Sequence, residues 1–272
     1  MVDDGQSATT KLEVILGREG VERLAASTVM VLGLGGVGSN CVEALVRGGV
    51  GRLIIVDHDV VQASNINRQA IAFHSTIGCK KTEVARAMAL DINPAAEVIA
   101  HDTFVLPDNL AQLINPYRGQ LDYVVDAIDT VATKLALAQY AEEGGIELIS
   151  SMGAANKLHP ECFRIADIYA TVNCPLCRIM RKEARKRGIG HLRVLYSCEE
   201  PVRTERREGS VRKERSDLGT ASFVPPIMGQ MIAGEVIRSL SGVGCDPKTK
   251  RDAMRLADTI YAQQPLAGRA HG

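Results

Sequence analysis

Tryptophan is absent from this 272-residue chain and phenylalanine occurs only four times. A recognition surface built from many aromatic rings is therefore excluded. Net charge is absent too, since 32 Lys/Arg balance 32 Asp/Glu; this excludes a uniformly basic or acidic protein but leaves room for local fields. No uncharged apolar run reaches 18 residues, so no membrane-spanning helix is expected. Met1 to Thr10 carries Asp3 and Asp4 where a secretory leader would carry positive charge, and a cytoplasmic location is the expectation. In that compartment seven cysteines, an odd number spread from Cys41 to Cys245, read as reduced thiols and not as a disulfide framework.

What is present reads as a nucleotide-binding sheet. Thr28-Val-Met-Val-Leu32 is a short apolar, β-branched run that leads straight into glycines, and Val37 to Arg47 then has helical spacing at Val37, Cys41, Ala44 and Leu45. Two more apolar runs, Leu53-Ile-Ile-Val56 and Tyr123-Val-Val125, end in Asp57 and Asp126. Helical stretches over Lys80 to Leu90 and Thr133 to Glu143 come after them in turn. Strands alternating with helices predict an α/β fold: a Rossmann-like, mostly parallel central sheet with helices on both faces. A carboxyl-terminal α/β half extends it. The expectation is a single unit over 1–272, with a nucleotide-binding half over about 12–150 and a substrate-facing half over about 151–272. Ligands gather where strands of such a sheet end.

Gly33-Leu-Gly-Gly-Val-Gly38 has the spacing in which Gly33, Gly35, Gly36 and Gly38 let the backbone turn tightly against phosphate oxygens at a helix amino terminus. Asp57 is placed to accept hydrogen bonds from ribose hydroxyls. These features serve NAD and ATP equally. The polar loop after Asp57 separates the two: His58, Asp59, Asn65, Asn67, Arg68 and Gln69 have little use in hydride transfer. When a carboxylate attacks an α-phosphorus, however, charge accumulates on the departing pyrophosphate. Arg68 can fork onto that charge and Lys81 can add a second positive point. Asp129, in Asp126-Ala-Ile-Asp129, can hold a magnesium ion that bridges phosphate oxygens.

On Gly33-x-Gly-Gly-x-Gly38, Asp57-x-Asp59, Asn65-x-x-Arg68-Gln69, Lys81 and Asp126-x-x-Asp129, the chain resembles the ThiF/MoeB/HesA family, relatives of ubiquitin-activating enzymes. That resemblance implies a homodimeric adenylyltransferase using ATP and Mg²⁺. The glycine loop, Asp57, Asp59, Asn65, Gln69, Asp126 and Ala127 would hold the nucleotide, Arg68 and Lys81 would contact the phosphates, and Asp129 would serve the metal. Blocks from Asp91-Ile-Asn-Pro94 through Ser150-Ser-Met-Gly-Ala-Ala-Asn-Lys-Leu158, Cys174-Pro-Leu176 and Tyr196-Ser-x-Glu-Glu-Pro201 to Ser222-Phe-Val-Pro225 are similar to the branch that dehydrates threonylcarbamoyladenosine in tRNA. This implies activation of the threonine carboxylate beside the anticodon, followed by ring closure, with that tRNA as partner. A sulfur-relay protein is a further partner the resemblance admits. The alternative within the family is adenylation of a ubiquitin-fold sulfur carrier. Relatives carry an amino-terminal arginine that reaches the partner subunit's ATP; here Lys11 stands at that place, and Arg18 or Arg23 are substitutes.

Charge is concentrated in one stretch. Arg178 to Arg215 holds thirteen Lys/Arg against six Asp/Glu, a local balance of +7. Within it Arg178, Arg181, Lys182, Arg185 and Lys186 recur at helical steps and predict a stripe suited to a phosphate backbone, laid over a core of Ile179, Met180 and Ala184. The stretch 202–216 reads as a mobile loop. Cys174-Pro-Leu-Cys177 has zinc-ligand spacing but no second pair accompanies it, so a zinc site, even with Cys162, Cys198 or His191 added, is not expected. The apolar helix from Pro225 to Leu240 is interrupted by Glu235 and Arg238 and is expected in the core or a dimer contact.

Overall fold

The structure, a computed structural model, describes residues 7–202 and 218–244. The loop expected over 202–216 lies, Val202 apart, outside the described residues. Seven strands form one sheet: β1 (Thr28–Leu32), β2 (Arg52–Asp57), β3 (Glu97–Asp102), β4 (Tyr123–Asp126), β5 (Leu148–Ser151), β6 (Phe163–Asp167) and β7 (Arg193–Ser197). Their order is β3-β2-β1-β4-β5-β7-β6. All neighbours are parallel except the edge strand β6, which runs antiparallel to β7. Chain progression reverses between β1 and β4, and at such a reversal the loops leaving two adjacent strands diverge and open a crevice.

Among the described residues seven α-helices cover the sheet: α1 (Thr10–Ala26, kinked at Gly17), α2 (Gly38–Arg47), α3 (Lys81–Ile92), α4 (Leu110–Ile114), α5 (Val131–Gly144), α6 (Pro175–Lys186) and α7 (Val224–Ser241). Strand alternation assigns the faces. Val29, Val31, Leu53, Ile55 and Val125 point into the core shared with α2, α3 and α7. Met30, Leu32, Ile54, Val56 and Val124 point to α4, α5 and α6. Every residue of β1 is buried, which is why its sequence after Thr28 is continuously apolar rather than alternating. The expected helix over Pro225–Leu240 is α7, and it is a core helix. Its Gly229 crosses α2 so closely that a Cβ there would sit 2.4 Å from the carbonyl oxygen of Val37. Val224, Met228, Ile232, Ala233 and Val236 are among its buried residues, while Ile227, Met231 and Leu240 are only partly covered.

Strands β3, β6 and β7 carry no clear signal in the sequence. β3 mixes Glu97, His101 and Asp102 with Val98 and Ile99 because it is an edge, covered on fewer sides.

Candidate active site

The site grows from the turn after β1. Gly33 donates its N–H to Val56 O at 2.8 Å and adopts φ +92°. A Cβ on Gly33 would approach Ala127 O to 2.7 Å, and one on Gly38 would lie 1.8 Å from Gly33 O, so only glycine fits either place. Gly35, by contrast, faces open space. Asp57 is buried at the end of β2, its Oδ2 accepting the Leu34 N–H at 2.6 Å and its Oδ1 the Asp59 N–H at 2.8 Å. The carboxylate expected to meet ribose therefore also shapes the glycine turn.

Two residues that sequence reasoning passed over staple this turn to the polar loop. Ser39 Oγ donates to Gly35 O and accepts the Ala70 N–H. Asn40 Nδ2 donates to both Gly36 O, at 2.7 Å, and Arg68 O, at 3.0 Å. Arg68 is thereby fixed at its backbone while its side chain is half-buried, the guanidinium donating to Ser64 O and Asn67 Oδ1. Among the described residues no carboxylate pairs with it. Asn65 is buried and accepts the Gln62 N–H, closing the short turn before Arg68. Gln69 is buried with its Oε1 unpartnered. Lys81 opens α3, is 5% exposed, and donates to Asp59 Oδ2 at 2.8 Å. Asp59 Oδ1 lies 3.0 Å from His58 Nε2.

On the other side of β1, Asp126 ends β4 fully buried. Its Oδ1 accepts the Ile128 N–H and its Oδ2 accepts from Lys134 Nζ at 3.0 Å and from Ser150 Oγ at 2.5 Å. The tight turn through Ile128 leaves Asp129 exposed on the loop beyond, where Thr130 Oγ1 donates to it. An exposed carboxylate beside a phosphate-sized space has the hard oxygen chemistry that Mg²⁺ requires. Asp57, His58 and Asp59 also bring potential ligand atoms within 4.8 Å of one another, but two of those carboxylates already serve Leu34 and Lys81.

These loops enclose one cavity of about 570 Å³, large enough for a nucleotide and a second reactant. Gly33, Gly35, Gly36, Asp57, Asp59, Asn65, Arg68, Gln69, Lys81, Ala127 and Asp129 all line it. Gly38 and Asp126 do not. They were expected to touch the nucleotide, yet Gly38 is spent on packing against Gly33 and Asp126 lies behind the wall. The cavity has parts that the sequence did not announce. His58 and Phe104 stack with ring centroids 3.2 Å apart on its border. Lys134, the stretch Ser151 to Ala155, small but for Met152, and Leu176 at the start of α6 complete it.

The stripe expected on α6 is only partly a surface. Cys177, Met180 and Ala184 form its buried face, whereas Ile179 is half exposed. Arg178, Lys182, Arg185 and Lys186 are exposed, Arg185 lying over the Tyr169 ring and Lys186 paired with Glu183 at 2.8 Å. Arg181 is turned inward to donate to Thr171 O and Thr171 Oγ1. It belongs to the frame, and four of the five cations remain for a ligand.

Cys174 caps the same helix, its Sγ accepting the Cys177 N–H at 3.4 Å. Hydrogen bonding from the Cys177 thiol, aided by the N–H groups of Cys177, Gly153 and Leu176, pulls the Cys174 thiol down to about 6 against the opposing effect of burial. Cys177, the donor, is pushed up. Among the described residues no group of three cysteine or histidine ligands converges here. On α1, Arg18 pairs with Glu22 at 2.9 Å and Arg23 donates to Ser241 O of α7, so both are occupied within the chain. Lys11 is exposed, one turn before the exposed Val14 and Ile15.

Comparison with known proteins adds to this geometry. The model of the ThiF family matches residues 7–266. A tRNA threonylcarbamoyladenosine dehydratase of Bacillus subtilis (strain 168) is 42% identical over 237 residues, which are 84% of this chain and 92% of that protein. One from Escherichia coli (strain K12) is 35% identical over 63% of each chain. The crystal structure of E. coli tRNA N6-threonylcarbamoyladenosine dehydratase, TcdA, in complex with ATP is similar with a TM-score of 0.78 and 28% identity, over 89% of this chain and 97% of that one.

Proposed function

The chain belongs to the ThiF family, and from that premise we propose that it dehydrates threonylcarbamoyladenosine in tRNA at the expense of ATP. The observation that carries this reading is Arg68: its backbone is held by Asn40, and its half-buried side chain lies on the cavity wall with no carboxylate partner among the described residues. Phosphate is the ligand such a group lacks.

In this reading the adenosine side of ATP rests between the glycine turn and Asp57, beside the His58–Phe104 stack. The threonine carboxylate attacks the α-phosphorus and pyrophosphate leaves. Arg68 and Lys81 take up the charge that accumulates on the leaving oxygens. Asp129 would hold a Mg²⁺ ion, which supplies charge neutralisation on the phosphates. A group of the same modified side chain then attacks the acyl-adenylate. The former carboxylate oxygen departs in AMP, and the substrate has lost one water in closing its ring. The attack is intramolecular, so the protein needs no nucleophile of its own.

The tRNA is held in this proposal by Arg178, Lys182, Arg185 and Lys186. Support comes from α6 itself, whose first turn lines the cavity at Leu176 while its exposed side carries those cations. A homodimer is part of the same proposal. Val14 and Ile15 are 83% and 72% exposed on α1, an apolar face that a second copy would cover while presenting Lys11 to its partner's cavity; sedimentation of V14D/I15D against the parent protein checks it. No helix among the described residues is long and apolar enough to cross a membrane.

The decisive experiment incubates the protein with ATP, Mg²⁺ and tRNA carrying threonylcarbamoyladenosine and weighs the released nucleosides. Loss of one water with matching AMP is expected. AMP formation only with a diglycine-ended ubiquitin-fold carrier would transfer the chain to the other branch of its family.

A further inference from the structure

Lys134 contributes a charged group to a cavity whose proposed reaction has no step for it. Its side chain is 1% exposed and all three of its N–H donors are used: Asp126 Oδ2 at 3.0 Å, Ser150 Oγ at 3.2 Å and Ser151 O at 2.8 Å. An ammonium so fully engaged is neither a proton donor nor a ligand for phosphate. Nor is it explained as a stabilising device, because desolvating a carboxylate and an ammonium offsets most of their attraction, and well-packed apolar residues serve folding as well.

Its partners show what it does. Asp126 is the last residue of β4, and Ser150 and Ser151 are the last two of β5. The loops that leave these two strands form adjoining parts of the same cavity: Ala127, Ile128 and Asp129 from β4, and Ser151 to Ala155 from β5. Asp126 Oδ1 holds the Ile128 N–H that sets the turn presenting Asp129. Lys134 reaches the main chain at the root of the other loop, donating to the carbonyl of Ser151, the last residue of β5. Ser150 Oγ closes the triangle by donating to Asp126 Oδ2 at 2.5 Å. One buried cation therefore spans the two loops, one bearing the proposed metal ligand and the other presenting the small residues Gly153, Ala154 and Ala155, which leave room for an acceptor.

We propose that Lys134 is a positioning residue: it fixes the acceptor loop Ser151–Ala155 relative to the phosphate-side loop Ala127–Asp129, so that an acceptor carboxylate is held in line with the α-phosphorus. The inference rests on the adenylation reading for its chemistry, but the coupling of the two loops is a property of the fold alone. Displacement of one reactant by about 1 Å costs about 100-fold in rate while leaving each reactant able to bind.

The test uses the full chain. Lys134→Met alone strands the Asp126 carboxylate in the core and endangers folding, so it is accompanied by the charge-free pair D126N/K134M and by the charge-conserving Lys134→Arg. Circular dichroism establishes which variants are folded. For D126N/K134M the affinity for a non-hydrolysable ATP analogue and the KM for ATP are expected within about threefold of the parent, with kcat for tRNA-dependent AMP release down about 100-fold. Lys134→Arg is expected to recover part of that loss. Amide hydrogen exchange at 127–129 and 152–155 is expected to rise together in D126N/K134M, with β1 and β2 unchanged. A folded D126N/K134M with kcat within threefold overturns the proposal, as does exchange that rises in neither loop or in one only. Equal loss of analogue binding and kcat also overturns it, by making the pair part of the nucleotide site. If the parent protein itself releases no AMP, the adenylation reading fails, and the exchange measurement still decides whether Lys134 couples the loops.

Discussion

Lys81 Nζ stands 2.8 Å from Asp59 Oδ2, with the lysine 5% exposed and both residues on the cavity wall. The cation proposed to meet phosphate is thus balanced by a carboxylate until a ligand arrives. Lys81→Met should weaken ATP binding by more than the removal of one positive charge, because it leaves Asp59 facing the phosphates. Adding Asp59→Asn should restore part of the affinity, with a coupling of about 1–3 kcal/mol in a double-mutant cycle. Titration calorimetry with ATP measures it, and additive effects would mean the pair is not coupled.

Arg68 is fixed through its backbone by Asn40, and its side chain is half-buried and makes no ion pair among the described residues. Arg68→Ala should leave the unfolding midpoint unchanged and slow single-turnover AMP formation by about 10²–10³-fold. Arg68→Lys should recover only a small part, since a point charge does not reproduce the planar fork. Rapid-quench measurement of AMP distinguishes these outcomes.

Asp129→Asn keeps shape and removes the charge. Fold and nucleotide affinity without metal should be retained, while the Mg²⁺ concentration for half-maximal rate should rise about 10–100-fold. Magnesium titration of AMP release reads the shift.

On α6 the cations divide into two kinds. Neutralising Arg178, Lys182 and Arg185 together should weaken tRNA binding and reduce the slope of log affinity against log salt by up to about 0.9 for each phosphate no longer neutralised. Arg181→Ala should lower the unfolding midpoint, because it strips the donors from Thr171 O and Oγ1, and should leave the salt slope nearly unchanged. Filter binding at several salt concentrations, beside thermal melts, separates the two.

Cys174 links stability to pH. Its folded thiol titrates near 6 and its ordinary value is 9.0, so between these limits the unfolded chain binds more protons and stability rises with pH. The contribution is fully present above the unfolded value and is lost as pH falls through about 6. Cys177, pushed the other way, keeps its proton and begins to oppose folding only as the unfolded thiol ionises. Urea unfolding of Cys174→Ala against the parent should therefore show a stability gap that is larger at pH 8.5 than at pH 6; a constant gap would reject the thiolate.

The nucleotide half was legible because its signals are local. β1 was read at its observed bounds from Thr28 and four apolar residues, all buried, and Gly33 and Gly38 follow from backbone closeness that no side chain tolerates. The edge strands β3 and β6 were not legible, since a strand covered on fewer sides has no strict apolar pattern to display.

By itself the sequence determined which side chains are available, a glycine turn with Asp57, Arg68, Lys81 and Asp129 in order after it, because each of these sits at a strand end, on a loop or at a helix start whose place in an α/β sheet follows from chain order. Only the tertiary structure decided how those groups are used. Gly38 and Asp126 withdrew from the cavity, Arg181 left the basic face for Thr171, and Lys134 joined the ends of β4 and β5. The reason is that a long cationic side chain commits to whichever acceptors lie within about 3 Å, and the acceptors of Arg181 and Lys134 are supplied by segments 8 to 17 residues away, beyond the reach of any local pattern.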